Sequence, residues 1–292
     1  MNYIEPVFRP PSEWKSYILQ VTNGCSWNKC TFCEMYTAPE KAFEFKSRDK
    51  IQFELQLASQ QPNFPNRIFL ADGDALTLSI RRLSEILSDI KHFLPRINRV
   101  TSYCLPRNLN NKSVEELASL RKLGLKMVYV GCESGDDEVL KKVNKGESFQ
   151  SSLAALQKLK AAGIKASVMI LNGLGGTSLS KQHAINSAKL MNAAQPEYLS
   201  TLVVSFPMGE ERFKSNFPEF NPLTQQALFQ EMQWLLSGLD LEKTIFRSDH
   251  ASNYLVLKGI LGQDKDKLLA QVNAALTSPQ SIPLRQEWQR GL

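Results

Sequence analysis

Three of the chain's five cysteines fall within one short run, Gly24-Cys25-Ser26-Trp27-Asn28-Lys29-Cys30-Thr31-Phe32-Cys33-Glu34-Met35-Tyr36. An odd number of clustered thiols does not make a disulfide framework; it points to a metal held in a reducing compartment. Thiolates are the usual ligands of iron–sulfur clusters. A cubane has four irons and this loop offers three thiolates, which leaves one iron open to a small molecule. Structural zinc is the competing reading. It needs a fourth ligand from His92, His183 or His250, each distant in sequence.

The elements around the loop alternate between β-rich apolar runs and stretches of helical period. Tyr17-Ile18-Leu19-Gln20-Val21 reads as a strand that enters the cysteine loop, with a helix expected from about 49 to 60. A second strand, Arg67 to Ala71, precedes Leu83, Ile86, Leu87, Ile90 and Leu94 at helical spacing. The third strand runs from Arg99 to Cys104; its helix opens on the capping-box pair Ser113 and Glu116 and stops at Gly124. Met127–Gly131, Ala166–Leu171 and Leu199–Val204 complete the six, with helices near 150–162 and 178–193 between them. Parallel strands need crossovers, and right-handed crossovers in sequential order roll a sheet toward a barrel. The expected fold is α/β: a partial (β/α)6 barrel over 1–210 and an α-rich C-terminal extension over 211–292 that caps it. Ligands of such folds sit at the C-terminal ends of the strands.

Polar motifs fall at those ends. Asp72-Gly73-Asp74 follows the second strand; its oxygens suit an ammonium and its glycine admits close backbone, though Asp-Gly is also a common turn pair. Gly131-Cys132-Glu133-Ser134-Gly135 follows the fourth strand, and Asn172-Gly173-Leu174-Gly175-Gly176 the fifth. With Cys25, Cys30 and Cys33 placed after the first strand, and an aromatic just before the last cysteine, the stretch from Tyr17 to Phe206 resembles the radical S-adenosylmethionine superfamily. The spacing here is CxxxxCxxC, one residue longer in its first interval than the commonest family form, CxxxCxxC.

The resemblance implies a [4Fe–4S] cluster on the three cysteines, with S-adenosylmethionine on the open iron. One-electron cleavage then gives methionine and a 5′-deoxyadenosyl radical that takes hydrogen from a substrate. Under it, Asp72, Gly73 and Asp74 receive the amino group of S-adenosylmethionine. Glu133 and Ser134 lie near its ribose or methionine part, Gly173 beside the adenine, and Phe32 against that ring. Ser167 either points into the barrel or is a satisfied strand serine. An electron donor such as flavodoxin or ferredoxin is implied as a partner.

Only Cys104 and Cys132 remain outside the triad, too few for a second cluster. This argues against methylthiotransferases and peptide-maturing types; no cobalamin module or acetyltransferase segment is seen. Cys104 ends the third strand and is a candidate hydrogen-atom donor, or a small buried hydrophobe. The stretch Phe246-Arg247-Ser248-Asp249-His250-Ala251-Ser252-Asn253-Tyr254 is dense in polar groups, and His250, Arg247 and Asn253 are expected to face substrate. His92 and His183 are read as surface residues.

The formal charge of +6 is scattered, as an ordinary solvated surface would have it, and is compatible with RNA. No run of about 18 apolar residues is present, so no membrane span is expected. Met1-Asn2-Tyr3-Ile4-Glu5-Pro6 has no signal-peptide character, and a cytoplasmic location is expected. A small molecule is the expected substrate. The rival readings are a haem- or cofactor-trafficking protein on the same fold and an RNA-modifying radical enzyme.

Overall fold

Largely buried runs make the parallel strands of the first half. In the computed structural model, which describes residues 3–62 and 64–291, β1 spans Tyr17–Gln20 and is followed by a small antiparallel pair, β2 (Thr22–Asn23) and β3 (Glu44–Phe45), which bracket the cysteine loop. Next come α1 (Arg48–Ser59), β4 (Arg67–Ala71), α2 (Ile80–Phe93), β5 (Arg99–Cys104), α3 (Val114–Leu123) and β6 (Leu125–Glu133). Ile68, Phe69, Leu70 and Ala71 are all buried, as expected of a parallel strand covered on both faces. β1, β4, β5 and β6 lie parallel in that order, with Leu19 opposite Leu70, Phe69 opposite Thr101 and Ser102 opposite Val128. Leu83, Ile86, Leu87 and Ile90 form the buried stripe of α2, and Ser79 caps its start by accepting from Arg82 N–H. The capping box of Ser113 and Glu116 forms at α3, with Gly124 in the positive-φ position at its end.

The second half supplies α4 (Asp137–Lys142), α5 (Phe149–Ala161), β7 (Lys165–Asn172), α6 (Gly176–Ala194), β8 (Tyr198–Val203), α7 (Glu211–Lys214), α8 (Gln225–Gly238), β9 (Ile245–Ser248), β10 (Leu257–Ile260) and α9 (Leu261–Thr277). β7, β8 and β9 run parallel, and β10 returns antiparallel to β9. The strand order therefore continues past the sixth predicted strand into the extension. β10 is short, holds Gly259 and pairs on one side with β9, so its sequence pattern is faint.

Two compact units result. One holds residues 1–28, 33–130 and 157–166; the other holds 29–32, 131–156 and 167–292. No helix among the described residues is long and apolar enough to cross a membrane.

Candidate functional site

In the first unit the site is built on close backbone approach. Gly73 N–H donates to the Gly24 carbonyl at 3.1 Å. A Cβ on Gly73 would stand 2.6 Å from that carbonyl oxygen and 3.1 Å from the Cys25 Cα, so only glycine lets the segment after β4 lie against the cysteine loop. The flanking carboxylates hold this arrangement. Asp74 is fully buried and accepts from Ser26 N–H at 3.0 Å, from the Ser26 hydroxyl and from Asn108 Nδ2 at 3.3 Å. Asp72, equally buried, forms an ion pair with Lys41 and accepts from the Tyr36 hydroxyl at 3.1 Å. Lys41 Nζ also donates to the Ile4 carbonyl at 3.0 Å. Burial pushes both carboxyls up; Lys41 opposes the shift at Asp72, and Ser26 and Asn108 oppose it at Asp74. Arg107 stacks over Trp27 with its guanidinium carbon 3.7 Å from the ring centroid, holding the outer edge of the loop.

Cys25 and Cys33 belong to this unit and are partly exposed; Cys30, in the other unit, is buried. Among the described residues no group of three or more His, Cys, Asp and Glu side chains is placed to hold one metal ion. A cubane asks for something different, because each thiolate meets its own iron.

In the second unit the strand ends carry the polar groups. Glu133 closes β6 with φ of 65°, a left-handed conformation that costs about 1–3 kcal/mol in a non-glycine residue and recurs at functional sites. Its Oε1 accepts from Lys145 Nζ at 3.1 Å, while its buried Oε2 meets no donor among the described residues. Burial works against the Lys145 ammonium, but Glu133 and the Cys30 thiol outweigh it and raise its pKa. Lys145 lies 5.7 Å from the centroid of the Phe32 ring, and Thr31 N–H donates to the Val143 carbonyl at 3.0 Å, fixing 29–32 after α4.

Ser134 and Gly173 are held by groups the sequence reading missed. Ser134 Oγ accepts from Asp136 N–H at 3.0 Å and shares a hydrogen bond with His183 Nδ1 at 2.7 Å. His183, read from sequence as a surface residue, is buried at 1% exposure. It lies four residues after Leu179 and four before Ser187 on the buried stripe of α6, and that spacing was the available signal. Gly173, with φ of 84°, donates its N–H to Glu231 Oε1 at 2.6 Å, and Ser180 Oγ donates to Glu231 Oε2 at 2.6 Å. His183 Nε2 stands 3.9 Å from Glu231 Oε1. Burial raises the Glu231 carboxyl. A carboxylate of α8, in the extension, thus anchors the glycine loop after β7. Gly173, Val203, Val204, Phe206, Phe220 and Leu228 line an apolar crevice beside that loop.

The remaining candidates are spread more widely. Ser167 is half-buried on β7. Cys104 is buried at the end of β5 and donates to the Leu105 carbonyl at 3.3 Å. Cys132 is buried, and desolvation pushes its thiol up to about 12. His250 Nδ1 is engaged by Ser252, and Asn253 is buried with its Nδ2 on the Thr201 carbonyl at 2.9 Å.

The family model described as "Radical SAM superfamily" matches residues 19–188, more than half of the chain. The chain belongs to the radical SAM superfamily. Members of this superfamily are enzymes. Its curated relatives include a tRNA uridine(34) acetyltransferase of Methanocaldococcus infernus, 25% identical over 60% of this chain and 32% of that protein. Another is the heme chaperone HemW of Bacillus subtilis, 22% identical over 47% of this chain and 36% of that one. The chain thus spans about a third of the length of these two relatives. Among solved structures, coproporphyrinogen III oxidase (HemN) of Escherichia coli, a radical SAM enzyme, superposes with a TM-score of 0.54 at 15% identity, covering 76% of this chain and 52% of that one. The archaeal Elp3 of M. infernus gives 0.53 at 16% identity, over 89% and 63%. The radical S-adenosylmethionine methyltransferase TsrM of Kitasatospora setae, solved with cobalamin and a [4Fe–4S] cluster, gives 0.52 at 20% identity, over 64% and 36%. These likenesses show the radical SAM fold.

Proposed function

We propose that this radical SAM protein holds one [4Fe–4S] cluster on Cys25, Cys30 and Cys33 and cleaves S-adenosylmethionine reductively in order to act on a small-molecule substrate. When bound, the cluster supplies the electron that breaks the S–C5′ bond, giving methionine and a 5′-deoxyadenosyl radical that takes hydrogen from the substrate. The observation that carries this reading is the buried, unpartnered Oε2 of Glu133, held in a strained left-handed residue at a strand end. A buried acceptor left without a donor is costly, and ribose hydroxyls are donors of the right kind.

The other groups take roles their surroundings allow. Asp72 and Asp74 already accept hydrogen bonds from the protein, so they act mainly by fixing the Gly73 backbone against the cysteine loop, where carbonyl oxygens can receive the ammonium. Ser134 and Gly173 are held in place by α6 and α8, and Phe32 offers a ring face for adenine. Ser167 is assigned to the cofactor's surroundings, and His250 and Cys104 to the substrate and hydrogen donation. Residues 211–292 cap the partial barrel, and Glu231 is the part of that extension tied to the site. A small electron carrier such as flavodoxin or ferredoxin delivers the electron in a cytoplasmic setting.

Anaerobic purification followed by S-adenosylmethionine and dithionite tests the proposal. The wild type releases 5′-deoxyadenosine, and alanine at Cys25, Cys30 or Cys33 abolishes the release together with bound iron. Glu133→Ala weakens S-adenosylmethionine binding by about tenfold or more, the worth of one charge-assisted hydrogen bond. Iron-loaded wild type that makes no 5′-deoxyadenosine sinks the reading and favours a trafficking role.

A further inference from the structure

One face of the second unit's strands is left open. Along β7, Ala166, Val168, Ile170 and Asn172 are buried while Ser167, Met169 and Leu171 are half exposed. The register carries this alternation across the sheet: Met169 pairs with Ser200, Ser200 with Arg247, and Arg247 with Lys258. Leu199 and Phe246, one position earlier on β8 and β9, are buried on the opposite face. Parallel strands of α/β proteins are ordinarily covered on both faces, so an uncovered row with an exposed arginine on it calls for an occupant.

Cations and other donors are prominent on and near this row. Among the described residues Arg247 pairs with no carboxylate; its one hydrogen bond is to its neighbour, the Phe246 carbonyl, at 2.8 Å. The half-buried Ser200 hydroxyl meets no hydrogen-bond partner among the described residues. Lys258 is paired with Asp249 at 2.9 Å, and Arg290 with Glu287 at 2.6 Å. Arg285 donates to the carbonyls of His250 at 2.6 Å, Asn253 at 2.9 Å and Asp249 at 3.2 Å, and so keeps its charge uncompensated. Asp264 Oδ2 accepts from Ile260 N–H on β10 at 2.7 Å, so four cations face three carboxylates and one positive charge is in excess. His250 adds a neutral donor. Ser252 N–H donates to its Nδ1 at 3.1 Å, which leaves the ring proton of the neutral form on Nε2. Burial and the neighbouring Arg285 hold the ring pKa down and keep it neutral. Ser252 Oγ accepts from Val203 N–H at 3.2 Å, so this histidine is tied to the C-terminal end of β8.

A surface with excess positive charge and unused N–H and O–H groups matches a ligand that brings acceptor oxygens and negative charge. We propose that the open face of β8 and β9 binds an oxyanion, carboxylate or phosphate, on a small-molecule substrate, with Arg247 as the principal contact and Ser200 beside it. This rests on the reading of the chain as an enzyme with a substrate separate from S-adenosylmethionine.

The test uses the full, cluster-loaded chain and three probes: succinate by saturation-transfer NMR, inorganic phosphate by 31P line broadening, and a short single-stranded RNA by fluorescence anisotropy. Wild type binds succinate or phosphate, and whichever is preferred identifies the anion. Arg247→Ala weakens that binding by about tenfold or more, as expected for one charge-assisted contact. Arg247→Lys falls between, because it keeps the charge and loses the planar fork. Ser200→Ala costs a few-fold, and Lys189→Ala, on exposed α6 surface, changes nothing. Arg247 is exposed, so its substitution leaves the melting temperature in place. Equal binding by wild type and Arg247→Ala, or no anion binding by wild type, overturns the proposal. So does tight RNA binding that depends on Arg247 and falls steeply with salt, which would put a nucleic acid in place of the small anion. Release of 5′-deoxyadenosine without anion binding removes this inference alone; Arg247-dependent anion binding without that release removes the radical-enzyme reading alone.

Discussion

Glu231 is the most informative position to perturb, because alanine and glutamine there separate hydrogen bonding from charge at a fully enclosed site. Glu231 is 1% exposed and accepts from the Gly173 N–H and the Ser180 hydroxyl, both at 2.6 Å. Alanine leaves two buried donors without acceptors at about 1–3 kcal/mol each, so the loss is about 2–6 kcal/mol. At about 2 °C per kcal/mol for a chain of this length, the melting temperature falls by roughly 4–12 °C. Glutamine behaves differently: its carbonyl still accepts from Gly173 and its amide donates to Ser180 Oγ, while the buried charge is gone. Because burial raises the carboxyl of the native state above its unfolded value, the folded chain holds the Glu231 proton to higher pH. The stability that this proton confers is complete below the unfolded pKa and is lost as pH rises through the folded one. Glu231→Gln has no such loss, so its melting temperature gains on wild type between pH 5 and pH 8. Scanning fluorimetry of the three proteins across that range is the assay. An alanine variant that melts within about 1 °C of wild type refutes this role for Glu231. So does a glutamine variant that falls as far as alanine.

Two further outcomes follow from the first unit. Lys41→Met strands the buried Asp72 carboxylate and costs about 3–5 kcal/mol in denaturant unfolding; adding Asp72→Asn recovers part of it, and no recovery would show that the lysine acts through packing alone. Gly73→Ala drives a Cβ against the Gly24 carbonyl oxygen, an overpacking of about 1–3 kcal/mol that moves the segment off Cys25. Iron content per chain then falls while far-ultraviolet circular dichroism stays unchanged, and full iron loading in this variant counts against a role for that close approach.

The repeating strand–helix order, the three thiols in one loop and the order of polar motifs after the strands are all legible in the residue pattern. These are local signals: hydrophobic periodicity reports which face an element buries, and turn residues mark where it ends. The paired row of Met169, Ser200 and Arg247 was not legible, because register is a property of neighbouring strands rather than of any one of them. Nor was the burial of Lys41, His183 and Glu231. A charged or polar side chain enters a core only where a partner meets it, and here those partners lie 31 residues away for Lys41, 49 for His183 and 58 for Glu231. Asp72, Glu133 and Gly173 were legible as site residues, but tertiary structure alone decided which of their atoms are already engaged, leaving Glu133 Oε2 without a protein donor while Asp72 is held by Lys41.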